Sequence, residues 1–335
     1  MYKVVSFLLL TGVLAAQSKP GLVRLATVAP SGTSYHLTLQ QMGQKWRQAS
    51  AGSVTLTIYA GSSMGGEADI VRRMRQGQLQ AGMLSVVGLS DIDKSVTALS
   101  YMPMMFRSME EVDYIREQLR PDLEKRLLEK GFVTMFWGDT GWVRFFSKEP
   151  VLRPADLKKL RLFVWAGDNY QIDLMKAVGL QPIPLETSDI LPGMQTGLIS
   201  AVPMPPFHAL ATQVYGPAPH MLELNWAPLV GATVITSKAW DSLPAASREA
   251  LKKAAEEAGA QMRARGRQEA AESVQTMVKR GLKTHAASPE VEAEWRRLAE
   301  DVYPKIRGGM VPADLFDKVR GLLADYRAGK GKPAK

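Results

Sequence analysis

The sequence predicts an α/β fold of two lobes, with one helix long enough to span both. Strand-like and helical segments alternate over residues 22–130, and the alternation starts again near Val133. A polar helical pattern then runs unbroken over residues 244–280, far beyond the average helix length. The 335 residues also fit two domains at about 150 residues each.

The first set of elements opens with a strand followed directly by a helix. In the helix, apolar Leu39, Met42 and Trp46 recur at the spacing of one helical face. Further along, Gly77 is placed to end a helix. The elements predicted for this set are strands at 22–28, 54–59 and 81–87 and helices at 35–49, 68–75 and 109–130.

The second set starts with two strands on either side of the glycine turn 138–141. In the strand at 159–165, alternation places Arg161, Phe163 and Trp165 on one side and the aliphatic residues on the other. The aliphatic side is expected to face the core, which leaves the aromatic side for a cleft. The elements predicted for this set are strands at 133–137, 142–147, 159–165 and 180–184, helices at 169–178 and 188–196, and two strands within 222–237.

The composition removes several classes of chemistry. The chain has no cysteine, which excludes disulfides, thiolate metal sites, iron–sulfur clusters, cysteine nucleophiles and a lipoprotein anchor. The four histidines lack metal-site spacing, and the glycine loop 61–66 lacks the ending of a nucleotide-binding loop. No Gly-x-Ser-x-Gly elbow is present. We therefore expect a protein without metal or cofactor that is not an enzyme.

The net charge of +9 raises the possibility of a nucleic-acid or membrane-surface partner. In the C-terminal third, however, acidic and basic residues alternate closely, as on a solvated helix face. The one purely basic run is the tail at 328–335. No nucleic-acid partner is expected.

The N-terminus has the pattern of a secretory signal peptide over residues 1–18. Lys3 supplies the positive charge, 4–14 is apolar, and Ala15 and Ala16 suit a cleavage site. An uncleaved anchor is the alternative. The pattern predicts an exported, periplasmic protein.

Several ordered motifs resemble the solute-binding proteins of TRAP transporters, the dicarboxylate and sialic-acid type. They are Ala29-Pro30-Ser31-Gly32-Thr33, Met64-Gly65-Gly66-Glu67, Met74-Arg75-Gln76-Gly77 and the segments 103–108, 154–158, 179–185 and 194–197. The resemblance implies a two-lobed periplasmic binding protein fold of type II-like topology, with mixed sheets and hinge strands. It further implies a monomer that closes on one small molecule and passes it to membrane permease subunits. The implied lobes are lobe I, residues 19–140 plus 229–268, and lobe II, residues 141–228 plus 269–327.

The chain departs from the family pattern where that pattern binds a carboxylate. Phe163 stands where the family usually has an arginine, and Val143 stands at the second arginine position, with Arg144 on the opposite face. Met204 lies in a stretch where polar groups are replaced by apolar ones. The residues expected to bind the ligand are Tyr35, Glu67, Trp142, Val143, Phe163, Trp165, Met204 and Trp226.

An apolar cleft predicts a hydrophobic or amphipathic ligand, lipid-like or aromatic, because an unpaired buried carboxylate costs several kcal/mol, roughly the penalty of an isolated buried ion. One alternative keeps the fold and binds an organic acid through Arg161 or Arg144. Another is a non-transport scaffold or an enzyme derived from this fold.

Overall fold

The structure is a computed structural model that describes residues 21–330. The predicted signal peptide at 1–18 lies outside the described residues, as does most of the basic tail at 328–335. Among the described residues, no helix has both the length and the apolar character needed to cross a membrane.

Strands and helices alternate through most of the described chain, as predicted. The strands are β1 (Gly21–Thr27), β2 (Val54–Tyr59), β3 (Ala81–Ser85), β4 (Phe132–Ser147), β5 (Arg161–Trp165), β6 (Gln181–Leu185), β7 (Ala201–Met204), β8 (His220–Glu223), β9 (Ala227–Thr236) and β10 (Lys283–Ala286). The helices are α1 (Ser34–Ala49), α2 (Glu67–Arg75), α3 (Val86–Ser90), α4 (Met109–Glu129), α5 (Asn169–Ala177), α6 (Ile190–Thr196), α7 (Pro206–Ala211), α8 (Ser237–Ser242), α9 (Ala245–Lys279), α10 (Pro289–Ile306) and α11 (Ala313–Arg327). Short 3-10 helices cover 94–99, 154–159 and 187–189.

The strands form a mixed sheet in the order β2-β1-β3-β9-β4-β7-β5-β6, with β8 and β10 attached beside β4. In lobe I, β1 runs parallel to β2 and β3, while β9 is antiparallel to β3 and β4. In lobe II, β5 runs parallel to β6 and β7, and the end of β4 is antiparallel to β7. The predicted mixed α/β architecture is confirmed.

β4 is one strand of 16 residues and not the two strands predicted on either side of a glycine turn. Its pairing with β9 shifts register between Asp139 and Trp142, where Gly141 adopts a φ of 79°. A glycine accepts this left-handed conformation without steric cost, so the irregularity is absorbed inside the strand. β4 and β9 therefore pass together from lobe I into lobe II.

The long helix α9 packs against both lobes. Leu251, Ala255 and Met262 belong to a lobe I core that also contains Trp46, whereas Met277 belongs to a lobe II core around Phe146. The prediction of a helix that crosses both lobes is confirmed, and its 35 residues nearly match the predicted range.

The C-terminal helix α11 packs on lobe I. Val319 and Leu323 share a core with Leu119 of α4, and Arg327 forms an ion pair with Glu111 at 2.7 Å. The predicted boundaries placed this segment in lobe II, and the packing of α11 departs from them because its apolar face covers α4.

Candidate functional site

Three adjacent cavities lie where the two lobes meet. Their volumes are about 140, 70 and 40 Å³, and they are called cavity 1, cavity 2 and cavity 3. Leu229 of β9 lines all three. Trp165 lines cavities 1 and 3, and His208 lines cavities 2 and 3. The three spaces therefore form one cleft.

Cavity 1 is apolar and takes its walls from both lobes. Val87 and Tyr101 come from lobe I, and Val143 and Trp165 from lobe II. No described residue with a charged side chain lines it. An apolar cavity of about 150 Å³ holds a benzene molecule, so cavity 1 has room for a body of that size.

A hydrogen bond joins the lobes beside cavity 1. The hydroxyl of Tyr101 donates to Oδ2 of Asp168, which follows β5. Oδ1 of Asp168 accepts from the backbone N–H of Gln171 at 3.1 Å and caps the N-terminus of α5. Burial raises the pKa of Asp168, although these two hydrogen bonds oppose the shift. The contact stabilises the lobes in their present arrangement.

Glu67 lines cavities 2 and 3, but its carboxylate is fully engaged within the protein. It accepts from the Ser85 N–H at 2.8 Å, the Ser85 hydroxyl at 2.7 Å and the Gly88 N–H at 2.7 Å. Burial raises the pKa of Glu67, and the hydrogen bonds from Ser85 and Gly88 act against it. Glu67 thus ties α2 to the β3–α3 junction.

A second network holds the wall of cavity 2. The Tyr35 hydroxyl donates to the backbone oxygen of Asp139 at 2.8 Å, and burial raises the pKa of Tyr35. Arg267 of α9 donates to both carboxylate oxygens of Asp113 at 2.7 Å and to Asp139 Oδ2 at 3.2 Å. These bonds engage the Tyr35 hydroxyl and the Asp139 carboxylate, whereas the buried Nε of Arg267 has no partner among the described residues.

His208 of α7 faces cavities 2 and 3. Neither ring nitrogen has a hydrogen-bond partner among the described residues, and burial alone lowers the pKa of His208 to about 4. The imidazole is therefore neutral near pH 7 and keeps one N–H donor and one acceptor nitrogen for a molecule bound in the cleft.

The charges around the cleft are acidic. Glu67 and Asp139 line cavity 2, Glu186 joins Glu67 at cavity 3, and no lysine or arginine of the described chain lines any of the three cavities. No described group of three or more His, Asp or Glu residues is arranged to hold a metal ion.

Five of the eight residues predicted to bind the ligand lie on the cleft. Val143, Trp165 and Trp226 line cavity 1, and Tyr35 and Glu67 line cavity 2. The other three, Trp142, Phe163 and Met204, line none of the three cavities.

The expected orientation of β5 requires correction. Phe163 is 1% exposed and packs with Phe146 and Met204 in a lobe II core. On the other side of the strand, Leu162 lines cavity 1. Trp165 reaches the cleft from the end of the strand while its ring stacks edge-on against Phe163, with centroids 4.7 Å apart. Phe163 therefore does not contribute to the apolar lining of the cleft, which other side chains form.

The two arginines proposed for an organic acid lie elsewhere. Arg161 is exposed, and its guanidinium donates to the carbonyl oxygens of Gly197 and Leu198, so it caps the end of α6. Arg144 makes one long hydrogen bond of 3.4 Å to Asn225 Oδ1, and burial lowers its pKa. Neither lines the three cavities.

Sequence reasoning missed His208, Tyr101 and Leu229 as residues of the cleft. His208 had a usable signal, because it follows the carboxyl end of β7 by four residues and ligands of open α/β sheets lie beyond such ends. Tyr101 had no such signal in the sequence, since its contact with Asp168 joins residues 67 positions apart.

The sequence matches the model of the family "Bacterial extracellular solute-binding protein, family 7" over residues 25–308. The chain belongs to this family. The resemblance to TRAP solute-binding proteins is thereby confirmed, and the protein is a solute-binding protein and not an enzyme.

Two curated relatives of this solute-binding protein are named for what they bind. The 2,3-diketo-L-gulonate-binding periplasmic protein of Escherichia coli is 25% identical over 257 residues, 74% of this chain and 75% of the relative. The C4-dicarboxylate-binding periplasmic protein of Rhodobacter capsulatus is 21% identical over 257 residues, 76% and 77% of the two chains.

Two solved TRAP periplasmic solute-binding proteins share the fold. One from Shewanella oneidensis, with bound succinate, superposes with a TM-score of 0.84 at 21% identity and covers 90% of this chain and 99% of its own. One from Pseudomonas putida, with bound D-glucuronate, has a TM-score of 0.79 at 23% identity and covers 89% and 96%.

Proposed function

We propose that this periplasmic protein binds a small organic acid with an apolar body and delivers it to TRAP-type permease subunits in the membrane. The acid class is supported by the relatives, whose names and bound molecules are 2,3-diketo-L-gulonate, C4-dicarboxylates, succinate and D-glucuronate. Export is supported by the signal-peptide pattern of residues 1–18. A monomer remains the expected state.

The observation that carries the apolar body is cavity 1, with about 140 Å³ and no charged lining. Each Å² of apolar ligand surface removed from water there contributes about 25 cal/mol. A hydroxyl buried in the same place without a partner costs about 1–3 kcal/mol. The cavity therefore favours an aromatic or branched aliphatic body over the polyhydroxylated body of a sugar acid.

A second candidate is an uncharged molecule of the hydrophobic or amphipathic class that the sequence predicted. It is favoured by one observation, that no described lysine or arginine lines the cleft to neutralise a carboxylate. The two candidates differ in whether a carboxylate is required for binding.

Calorimetric titration of refolded, ligand-free protein separates the candidates. The probes are benzoate, 4-methylpentanoate, succinate, D-glucuronate and uncharged benzamide. We expect the Kd of benzoate or 4-methylpentanoate to be at least about tenfold lower than the Kd of the other three probes. A tenfold ratio corresponds to one lost or mispaired hydrogen bond. Tightest binding of benzamide would favour the neutral ligand, and tightest binding of succinate or D-glucuronate would refute the apolar body.

Val143→Thr tests the place of binding, because it keeps the shape of the side chain and adds a hydroxyl to the wall of cavity 1. We expect the Kd of the bound acid to rise about five- to a hundredfold. The matched control is Val133→Thr on the same strand, which packs against a lobe I core away from the cleft. Equal Kd values for the two variants would remove cavity 1 as the site.

A further inference from the structure

His208 holds a central place in the cleft. It lines cavities 2 and 3, and cavity 3 shares Val87, Trp165 and Leu229 with the apolar cavity 1. An acid whose body fills cavity 1 would therefore extend its carboxylate past Trp165 into cavity 3, where the imidazole lies.

Around cavities 2 and 3 most other polar side chains of the described residues are engaged, and the Thr187 hydroxyl at cavity 3 is a second donor without a described partner. Glu67 accepts three hydrogen bonds, the Ser85 hydroxyl donates to Glu67, and the Tyr35 hydroxyl donates to Asp139. Thr140 Oγ1 has no partner but is fully covered by protein atoms. His208 retains two nitrogens without a described partner and, unlike the Thr187 hydroxyl, can take up a proton, so it is the donor that can present a positive charge to an oxygen of the solute.

We propose that His208 binds the carboxylate of the solute and takes up one proton from solvent as it does so. The inference rests on the proposed function, since it requires an acid in the cleft. With no arginine or lysine at the cavities, protonation of His208 is the route by which a positive charge reaches the buried carboxylate. Charge-assisted hydrogen bonds of this kind are about twice as strong as neutral ones.

The charges around His208 are consistent with its protonation when the solute binds. Glu67 and Asp139 face His208 across cavity 2, and Glu186 faces it across cavity 3. Of the cations on α9, which packs on α7, Arg267 is neutralised by Asp113 and Asp139, and Arg263 donates to the Trp137 carbonyl.

The sign of the pH dependence follows from the two states. Without solute, burial lowers the pKa of His208 to about 4, so the ring is neutral. A carboxylate in contact raises the pKa of the ring, because an opposite charge favours the charged form. Between these two pKa values binding takes up a proton, so affinity rises as pH falls, by at most about tenfold per pH unit.

The experiment is calorimetric titration of the full protein with benzoate from about pH 5.5 to 8, the range in which histidine charge changes are seen. Two buffers with different heats of ionisation report the protons taken up. We expect the uptake to approach one proton per benzoate at the acid end and the Kd of benzoate to decrease as the pH is lowered. Benzamide should show neither effect.

His208→Gln keeps a hydrogen-bond donor and removes the titrating group. We expect its benzoate Kd to be independent of pH and about ten- to a hundredfold higher than that of the wild type at the acid end. Glu186→Gln should keep the proton uptake, which excludes Glu186 as its source. The matched control, His36→Gln, changes a half-buried histidine on α1 that lines none of the three cavities, and it should change neither quantity.

The possible failures are distinguishable. If the wild type binds no acid probe, the proposed function fails. If the wild type binds benzoate without proton uptake, or if His208→Gln binds it with the wild-type pH profile, the role of His208 is overturned while the proposed function stands. Should His208→Gln not fold, as judged by its unfolding curve, the proton uptake of the wild type and of Glu186→Gln decides.

Discussion

At the scale of single residues, two aromatic neighbours on β5 have different tasks. Phe163 is fully buried among Phe146 and Met204, whereas Trp165 keeps accessible surface on cavities 1 and 3. The edge-on contact between their rings links the two tasks, because the core residue supports the ring that faces the solute. Truncating each should therefore affect a different property.

We expect Phe163→Ala to lower the free energy of unfolding by about 3–5 kcal/mol, as large-to-small changes of buried aromatic residues do. Trp165→Ala should cost less stability and raise the Kd of the bound acid more strongly. Urea unfolding and calorimetric titration of both variants check this. The exposed Tyr170→Ala, on α5, serves as the control. Full stability of Phe163→Ala combined with lost binding would place Phe163 in the cleft.

At the scale of elements, α9 and β4 approach each other at a position where only glycine fits. A Cβ on Gly259 would lie 2.6–2.8 Å from side-chain atoms of Phe136. The lack of a side chain there lets the long helix lie close to the strand that runs through both lobes. Because Met262 and Met277 continue the same helix into the two cores, this contact sets where α9 crosses the molecule.

Gly259→Ala should destabilise the protein by about 1–3 kcal/mol, since overpacking displaces Phe136 and this exceeds the gain in helix propensity. The control is Gly321→Ala in α11, where a Cβ meets nothing within 4 Å. That control should be stabilised by up to about 1 kcal/mol through helix propensity alone. Thermal unfolding measures both, and a gain in stability for both variants would contradict the close contact.

At the scale of the whole molecule, the lobes are joined by β4, β9 and α9 and held by contacts across the cleft. Tyr101 with Asp168 is one such contact, and Gly66 against the carboxylate of Glu186 is another. Opening the cleft would expose the buried Asp168 and break its bond to Tyr101. Solute binding and this contact therefore stabilise the same closed arrangement.

Tyr101→Phe removes the hydrogen bond and little else. The loss of a buried hydrogen bond to a carboxylate should shift the closed-to-open ratio of the solute-free protein about ten- to a hundredfold toward open. Small-angle scattering should then give a larger radius of gyration for the variant than for the wild type, and a saturating acid should reduce the difference. Tyr326→Phe on α11 is the control, and equal radii for all three solute-free proteins would show that the contact does not hold the lobes.

The sequence by itself determined the fold class, the succession of strands and helices, the long helix and the family. These follow from local periodicity and from motifs such as Met64-Gly65-Gly66-Glu67, in which the information lies within a few neighbouring residues. The glutamate of this motif, Glu67, could also be placed near the cleft from the sequence, and it lines cavity 2.

The tertiary structure decided which side of each element meets the cleft. Alternation along β5 shows that Leu162 and Phe163 point to opposite faces, but not which face packs with α6 and α9 and which meets cavity 1. Long-range packing likewise joined β4 into one strand, brought α11 onto α4 and placed His208 beside Leu229. Contacts between distant segments have no local pattern, so only the folded chain shows that the imidazole of His208 has no described hydrogen-bond partner in the cleft.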